Sequence, residues 1–571
     1  MKHTSVAIIA TTLLSTSYSQ LALTAGHGSQ KVIGQTSALI AEAGLPTVIG
    51  AGSSASDLKD GESANTNFPF AKFKAIATVG EVDATSGLAL TGYPDGQAAW
   101  LADNNTVRVV YQSESYATMG RAPQPETYPW KMSNGVTFTG SHIHTIDYDR
   151  EKFATFMGNN ESAKSMVKGS GKLFNTVYNG FGEIVSTPSH DPSQLAGKWG
   201  NQTRPDGTLV QFKSEFKLSQ ANYFFQSFCG AWYEQANQYG EGMGFADDVW
   251  LTAEEWEIGR MFPAGSSDSA ATLGLASVVV DIANETAYTA PALGQTGYEK
   301  LMPINPGHKD YVVIVAAGYN HGQEPAPNRI YVGMKNRAAD GSQIDYATAS
   351  DRDAFLARNG LLYGKIYGLA LTPETYETLG LKIALDAKMV DDYMKNADAP
   401  NRFEGRFYPT SYQWAGFDQP VAVQDTEMML WEQKDEQPDG YVFFNGDTKT
   451  EHPAVDPSGA PRYFQNMTDE GGLMGFDLGD LGKALAAANG DLPTHLDVSV
   501  VRSVAAVDGA LTLNIGDQFK TVGGDASIHM EEGVAKMVAP DGLFWSKTAD
   551  GDYLIVDEDS GNDFGERKYV L

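Results

Sequence analysis

The stretch that decides the fold is residues 228–256, which reads FCGAWYEQANQYGEGMGFADDVWLTAEEW. It holds the only cysteine of the chain, Cys229, followed by a glycine-rich loop. A short apolar run over Val249–Thr252 comes next and ends on the acids Glu254 and Glu255, which is typical of a strand that brings two carboxylates to a sheet edge. A soft thiolate beside hard carboxylates can hold a transition metal and calcium side by side. The stretch alone also fits a buried, inert cysteine and a solvated acidic corner.

Short apolar runs alternate with turn residues along the rest of the chain as well. The full sequence contains 60 glycines and 25 prolines. Helical patterns are few, and they cover residues 149–168, 350–358, 376–395 and 480–488. Many short strands interrupted by a few helices are typical of a β-sandwich or a β-propeller. We find no sequence repeat of fixed period, so a WD40-type array is not supported. The sequence therefore predicts a mainly β protein, a β-propeller of about six blades with helical insertions.

The N-terminal end resembles a secretory signal. Lys2 and His3 precede an apolar stretch that is followed by small residues, which predicts a signal peptide over residues 1–25. Residues 26–66 are rich in glycine, alanine and serine and are predicted to be irregular, and residues 67–571 are predicted to form the propeller-like domain. No later run reaches the ~18 apolar residues of a membrane helix. We therefore expect a secreted or periplasmic protein that does not insert into a membrane.

The charge balance limits the class of partner. The chain carries 71 acidic against 41 basic residues, a net charge of −30, and it has no cluster of lysine and arginine. A nucleic-acid-binding protein needs a basic face, so we expect no nucleic-acid partner. Such acidity fits solubility in salty surroundings or the binding of divalent cations. A single cysteine excludes a disulfide within the chain, and we expect a monomer.

Four stretches of the sequence, taken in their order along the chain, resemble the motifs of one known protein family. They are Cys229 with Glu254 and Glu255, Leu293–Glu299, Lys449–Pro457, and Ala539–Leu543 followed by Tyr553–Asp559. In this order they are similar to motifs of the PhoX-type alkaline phosphatases, a family of exported β-propeller enzymes that use calcium together with iron. The third stretch resembles the family pattern R-P-E-D-x-A-x-D-P.

The resemblance implies roles for individual residues. It implies that Cys229, Glu254, Glu255, Glu299 and Glu451 bind metal, with calcium and iron as the cofactors. It also implies that Lys449 faces the phosphate, where the family has an arginine. Lysine is a point charge and lacks the bidentate fork of arginine. If the Cys229 sulfur and the carboxylates share one centre, they must lie within ~10 Å of one another.

The chain also departs from the family. The segment that ends on Glu299 lacks the arginine and the histidine of the pattern L-G-R-F-x-H-E, and an early N-H-E motif is matched only poorly by Gln112-Ser113-Glu114. The resemblance implies an exported, metal-dependent phosphomonoesterase acting on small phosphoesters. Two alternatives stay open, namely a non-catalytic, calcium-stabilised propeller that acts as a binding or surface protein, and a calcium-dependent esterase or lactonase. No serine-hydrolase elbow, zincin motif, P-loop or dinucleotide fingerprint is present in the sequence.

Two further clusters have weaker signals. His142 and His144 point to one face of a predicted strand and could bind zinc, but no third ligand is evident in the sequence. Asp557, Glu558, Asp559 and Asp563 could form a calcium loop, although their spacing does not match an EF-hand. Packed histidines and a solvated acidic turn explain these clusters equally well.

Overall fold

The structure is a computed structural model, and it describes part of the chain. The main described ranges are 93–114, 130–138, 141–159, 161–179, 182–185, 228–255, 277–294, 297–318, 328–371, 373–379, 393–410, 442–443, 450–468, 470–507, 510–515, 518–521, 537–549, 551–559 and 568–571. A few single positions between them are also described, among them 76, 77, 90, 225, 412, 414, 416 and 417. The predicted signal peptide and the predicted irregular segment 26–66 lie outside the described residues.

The described residues form strands far more often than helices, which confirms the prediction of a mainly β protein. The strands are β1 (Tyr93–Asp103), β2 (Thr106–Glu114), β3 (Trp130–Lys131), β4 (Thr137–Phe138), β5 (His142–Asp149), β6 (Val167–Lys172), β7 (Thr176–Tyr178), β8 (Phe228–Glu234), β9 (Val249–Glu254), β10 (Ser277–Asp281), β11 (Thr286–Thr289), β12 (Lys300–Ile304), β13 (Tyr311–Ala317), β14 (Arg329–Met334), β15 (Gly364–Leu371), β16 (Arg402–Pro409), β17 (Val442–Phe443), β18 (Thr450–Val455), β19 (Arg462–Met467), β20 (Gly472–Asp477), β21 (Leu496–Val507), β22 (Ala510–Ile515), β23 (Gln518–Thr521), β24 (Pro540–Lys547), β25 (Asp552–Glu558) and β26 (Lys568–Val570).

The described α-helices are short, and three of them begin at a capping residue that is also the first residue of a predicted helical pattern, at positions 149, 350 and 480. They are α1 (Arg150–Thr155), α2 (Asp351–Arg358), α3 (Pro373–Thr378) and α4 (Leu481–Ala487). The side chains of Asp149, Ser350 and Asp480 each accept a hydrogen bond from a backbone N–H in the first turn. The helix predicted over 149–168 is shorter than expected, because two 3₁₀ turns follow α1 and strand β6 begins at Val167. None of the described helices is both long enough and apolar enough to cross a membrane.

The strands are arranged as successive antiparallel meanders. The sheet orders are β1-β2-β5-β6, then β8-β9-β10-β11 with β7 added in parallel to β11, and then β24-β25-β26. A larger sheet contains the meander β12-β13-β14-β15 and the strands β18-β19-β20-β21, joined edge to edge through β16. Strand β13 is buried on both faces, because Val313 and Val315 pack in one apolar cluster and Val312 and Ile314 pack in another.

The first strand of each meander packs against the first strand of the next. The contacting pairs are β1 with β8, β8 with β12, β12 with β18, and β18 with β24. These five inner strands therefore lie around one common centre, which is the radial arrangement of the blades of a β-propeller. Because an inner strand begins at this centre, residues close to its start converge there from distant parts of the sequence.

Candidate metal centre

Four of the inner strands contain a β-bulge at the place where they reach the centre. At each bulge, three residue steps along the inner strand lie opposite two steps along the partner strand. The bulges lie between Pro94 and Gln97, Phe228 and Ala231, Thr450 and Pro453, and Pro540 and Leu543. A bulge interrupts the regular alternation of side chains and re-aims the residues inside it, and bulges are frequent next to active sites. The re-aimed residues include Asp95, Cys229, Glu451, His452 and Asp541.

The re-aimed side chains form three groups of donor atoms, together with carboxylates from neighbouring strand ends. Within each group the donor atoms lie within 4.8 Å of one another, and every member is buried. The first group is Asp95, Cys229, Glu299 and His452, the second is Glu114, Cys229 and Glu255, and the third is Glu299, Glu451 and Asp541. Two donors on opposite sides of one ion are ~4.6 Å apart for zinc-type distances and ~5 Å apart for calcium. Each group therefore has the dimensions of a site for one ion.

The three groups are connected because two residues belong to more than one of them. Cys229 is common to the first and second groups, and Glu299 is common to the first and third. A residue shared in this way can bridge two ions, as in the paired sites that clamp a transferring phosphoryl group. We call the combined set of donor residues the central cluster.

Small residues make the close approach of the inner strands possible. A Cβ atom at Gly230 would lie 2.6 Å from Nε2 of His452 and 2.8 Å from the carbonyl oxygen of Glu299, which is closer than real Cβ contacts allow. The backbone N–H of Gly230 donates to that same carbonyl oxygen at 2.8 Å. Glycine at position 230 thus lets β8 and β12 meet tightly enough to bring Cys229, Glu299 and His452 together.

A buried glutamine fixes the backbone that carries the cysteine. The side-chain amide of Gln112 donates to the carbonyl oxygen of Cys229 at 2.7 Å and accepts from the indole N–H of Trp250 at 2.8 Å. Gln112 and Trp250 are completely buried, so both hydrogen bonds lie in a low-dielectric interior, where they are strong. The thiol of Cys229 in turn donates to Oδ2 of Asp95 at 2.7 Å.

The electrostatics of the central cluster favour a cation. Burial, followed by the neighbouring Glu299 carboxylate, raises the pKa of Asp95 to about 7. Burial and then the carboxylates of Asp95 and Glu299 raise the pKa of the Cys229 thiol well above its usual value. Six carboxyl groups and one thiol are thus buried together. Buried anions need paired charges or a metal ion, and a bound cation restores the ionised form of such groups. The donor set therefore fits metal ions.

One lysine lies beside the central cluster. Lys300 follows Glu299, is 8% exposed, and places its ammonium nitrogen 5.8 Å from the centre of the Trp232 ring. Burial lowers the pKa of Lys300 to about 8, although Asp95, Asp541 and Glu299 oppose this decrease. Lys300 is therefore a buried cation on the margin of an anionic cluster.

The structure brings together four of the residues that the sequence analysis picked out. Cys229, Glu255, Glu299 and Glu451 each belong to at least one donor group. Cys229 shares one group with Glu255 and another with Glu299, and Glu299 shares the third with Glu451. Their role as metal ligands stays a prediction. Glu254 is also buried, at the end of β9, but it belongs to none of the donor groups found among the described residues. Lys449, predicted to face the phosphate, lies outside the described residues.

Several members of the central cluster were not identified as site residues from the sequence. Glu114 was only a poor motif match, and Asp95, His452, Asp541 and Lys300 were not proposed. A recurrent pattern could have found some of them. A donor followed by glycine and, three to five residues after the donor, by tryptophan occurs at Asp95-Gly96, Cys229-Gly230 and Asp541-Gly542. The pattern marks the bulged start of an inner strand.

The two weaker clusters have structural explanations. His142 and His144 are buried on β5 opposite Ser113 and Tyr111 of β2, and they belong to no donor group among the described residues. In the acidic turn, Glu558 is buried and accepts a hydrogen bond from the backbone N–H of Val538 at 2.7 Å. Asp563 lies outside the described residues.

Comparison with known proteins shows a distant structural similarity. No protein-family model and no curated protein sequence matches the chain. Among solved structures, the chain is similar to "Pseudomonas fluorescens PhoX in complex with vanadate, a transition state analogue", with 12% sequence identity and a TM-score of 0.41. The match covers 95% of this chain and 87% of that chain.

Glu234, at the other end of β8 from Cys229, leads to a prediction about pH. Burial raises the pKa of its carboxyl from 4.5 to about 7, although the indole N–H of Trp232 donates to it at 2.7 Å. Because the unfolded chain ionises first, the folded protein loses stability as pH rises from 4.5 to about 7. The loss attributable to this group is roughly 3 kcal/mol.

We expect the Glu234→Gln variant to lack this part of the pH dependence. The measurement is urea unfolding of both proteins at a series of pH values, followed by tryptophan fluorescence. The difference in unfolding free energy between them should change steadily between pH 4.5 and about 7 and stay constant above that range. Parallel curves for the two proteins over the whole range would contradict the assignment.

Proposed function

We propose that the chain is an exported, metal-dependent phosphomonoesterase that uses calcium and a transition metal, with iron as the candidate. The observation that carries this proposal is the connection of three donor groups through Cys229 and Glu299. The order of the motifs along the sequence, which resembles that of the PhoX-type alkaline phosphatases, supports the same reaction. The central cluster lies where the inner strands of a propeller meet, which is a common location for a ligand site.

The chemistry of phosphoester hydrolysis explains why such a cluster is needed. Metal ions neutralise the charge that develops on the phosphoryl oxygens and lower the pKa of a bound water that acts as the nucleophile. The all-oxygen group of Glu299, Glu451 and Asp541 has the donor type that calcium prefers. The groups that contain the Cys229 thiolate suit a softer transition metal.

Lys300 supplies the fixed positive charge of the proposed site. It is buried beside the cluster and packs on Trp232, so its ammonium group is held in place rather than free in solvent. A cation held in this way attracts the dianionic phosphate of a monoester. Lys449 remains a second candidate for this role, on the strength of the sequence motif alone.

The remaining features of the proposal come from the sequence. We propose a secreted or periplasmic monomer, with residues 1–25 as a signal peptide and residues 67–571 as the catalytic propeller. Its substrates are small phosphoesters, and the net charge of −30 disfavours nucleic acid as a partner.

The test of this proposal is the turnover of p-nitrophenyl phosphate by the purified protein before and after chelation. We expect activity that disappears on chelation and returns when calcium and iron are added back. The Glu255→Gln variant should lose about 100-fold in kcat/KM, because it removes one donor next to Cys229. The control is Asp247→Asn, in the loop between β8 and β9. The Asp247 carboxylate pairs with Arg358 and is not part of the central cluster.

Two outcomes contradict the proposal in different ways. A protein that contains calcium but hydrolyses no phosphoester favours the non-catalytic propeller. Turnover of carboxylic esters or lactones in its place favours the calcium-dependent esterase.

A further inference from the structure

His452 occupies a special position in the central cluster. It lies in the bulge of β18 next to Glu451, and it is 7% exposed. Its Nε2 atom faces three carboxylate oxygens, from Glu299 at 3.7 Å, Asp541 at 3.8 Å and Asp95 at 3.9 Å. Three acidic groups from three different inner strands thus surround one ring nitrogen.

These distances do not fit hydrogen bonds. An N–H···O hydrogen bond has a donor–acceptor distance of about 2.7–3.2 Å. Two donors that bind one ion at ~2.1 Å, with an angle of 110–130° between them, are instead separated by ~3.4–3.8 Å. The spacing of Nε2 from the Glu299 oxygen, and closely that from Asp95, is therefore that of ligands arranged around a common ion. The Asp541 oxygen is equally near, but its donor group is the one with Glu299 and Glu451 and does not include Cys229.

Strand β8 passes in close contact with this ring. A Cβ at position 230 would be 2.6 Å from Nε2 of His452, so glycine is needed where β8 passes the imidazole. The next residue towards the start of β8 is Cys229, whose sulfur belongs to the same donor group. The ring nitrogen and the sulfur therefore approach the same point from two inner strands, β18 and β8.

The donor chemistry of this first group differs from that of the third. Asp95, Cys229, Glu299 and His452 offer one sulfur, one nitrogen and carboxylate oxygens, whereas Glu299, Glu451 and Asp541 offer oxygen only. Nitrogen and sulfur donors favour zinc, cobalt or ferrous ions, and oxygen donors favour calcium. In the motif R-P-E-D-x-A-x-D-P, an aspartate stands at the position of His452. The imidazole at this position is therefore a feature of this chain.

We propose that His452 Nε2 is the nitrogen ligand of a divalent d-block ion that is also bound by Cys229 and the carboxylates of Asp95 and Glu299. This ion is distinct from the calcium of the all-oxygen group, and Glu299 lies between the two. The inference rests on the metal dependence in the proposed function, but its test reads metal binding and needs no turnover.

The experiment uses the full chain stripped of metal and titrated with Co²⁺ in the presence of excess Ca²⁺. The wild-type protein should bind one Co²⁺ with a thiolate-to-cobalt absorption band in the near ultraviolet. The His452→Ala variant should keep the band but bind Co²⁺ ~10–100-fold more weakly. The Cys229→Ser variant should lose the band. Asp247→Asn is the control, because its carboxylate pairs with Arg358 and belongs to none of the donor groups, so Co²⁺ affinity should stay unchanged.

A second measurement needs no variant, and it applies even if the His452→Ala protein does not fold. X-ray absorption of the cobalt-loaded wild-type protein should show one sulfur at about 2.3 Å and the multiple scattering of one imidazole at about 2.0–2.1 Å. Wild-type cobalt affinity in His452→Ala, or a spectrum without imidazole scattering, would overturn the inference. Cobalt binding of the expected kind in a protein without phosphatase activity would instead refute the proposed function alone.

Discussion

Replacing Glu299 with glutamine should remove the calcium and the d-block ion together and lower phosphoester turnover roughly 1,000-fold. The reason is that, among the residues the structure describes, Glu299 is the only carboxylate common to two donor groups, so one substitution weakens both sites. The backbone of Glu299 is held independently of its side chain, because its N–H donates to Ala317 and its carbonyl oxygen accepts from Gly230, both at 2.8 Å. The measurement is metal content by mass spectrometry, combined with kcat/KM.

The matched control for this prediction is Glu451→Gln. Glu451 is buried like Glu299 but belongs to one donor group only, so its amide variant should lose calcium and keep the d-block ion. If Glu299→Gln retains both ions, or if both variants lose the same single ion, Glu299 does not connect two sites.

Replacing Arg502 with methionine should destabilise the fold by roughly 3–5 kcal/mol. Arg502 is completely buried on β21, and its guanidinium donates to the carbonyl oxygens of Asn396 at 2.8 Å and Ala399 at 3.0 Å, and to Oδ1 of Asn401 at 2.9 Å. It also donates to the carbonyl oxygen of Tyr393 and packs 4.7 Å from the centre of that ring. Methionine would fill much of the space but leave several buried acceptors without a donor.

Arg406→Met provides the comparison for Arg502. Arg406 lies on β16, which pairs with β21, and its guanidinium binds Asp497 at 2.8 Å in an ion pair that is 39% exposed on the arginine side and 73% exposed on the aspartate side. Exposed ion pairs contribute about 0–1 kcal/mol to stability, so the free energy of unfolding of Arg406→Met should be close to that of the wild type. Urea unfolding followed by tryptophan fluorescence measures the stability of both variants. Equal destabilisation of the two would refute the role assigned to Arg502.

The fold class could be predicted because it depends on local patterns that the sequence displays directly. Alternating apolar runs and turn residues mark β9, β10 and β13, and capping residues mark the starts of three of the short helices. The joining of two meanders through β16 could not be predicted in this way. Its pairing with β21 brings together residues about a hundred positions apart, and such pairings depend on tertiary packing.

The candidate site was predicted in part, for an identifiable reason. Cys229, Glu255, Glu299 and Glu451 lie in recognisable motifs, so the sequence analysis picked them out without knowledge of the fold. Asp95, Asp541 and His452 lie in bulges, and a bulge changes the direction of a side chain without an obvious change in apolar periodicity. Lys300 was missed as well, because its burial beside the acidic residues depends on how the surrounding strands pack.

The most direct test of the account is an anomalous-diffraction map from crystals of the full chain loaded with Ca²⁺ and Co²⁺. The account predicts a cobalt peak between Cys229 and His452 and a separate calcium peak beside Glu451 and Asp541, with the Glu299 carboxylate between the two. A map from fully loaded crystals without a peak in the central cluster would contradict the claim that the inner strands converge to bind metal ions.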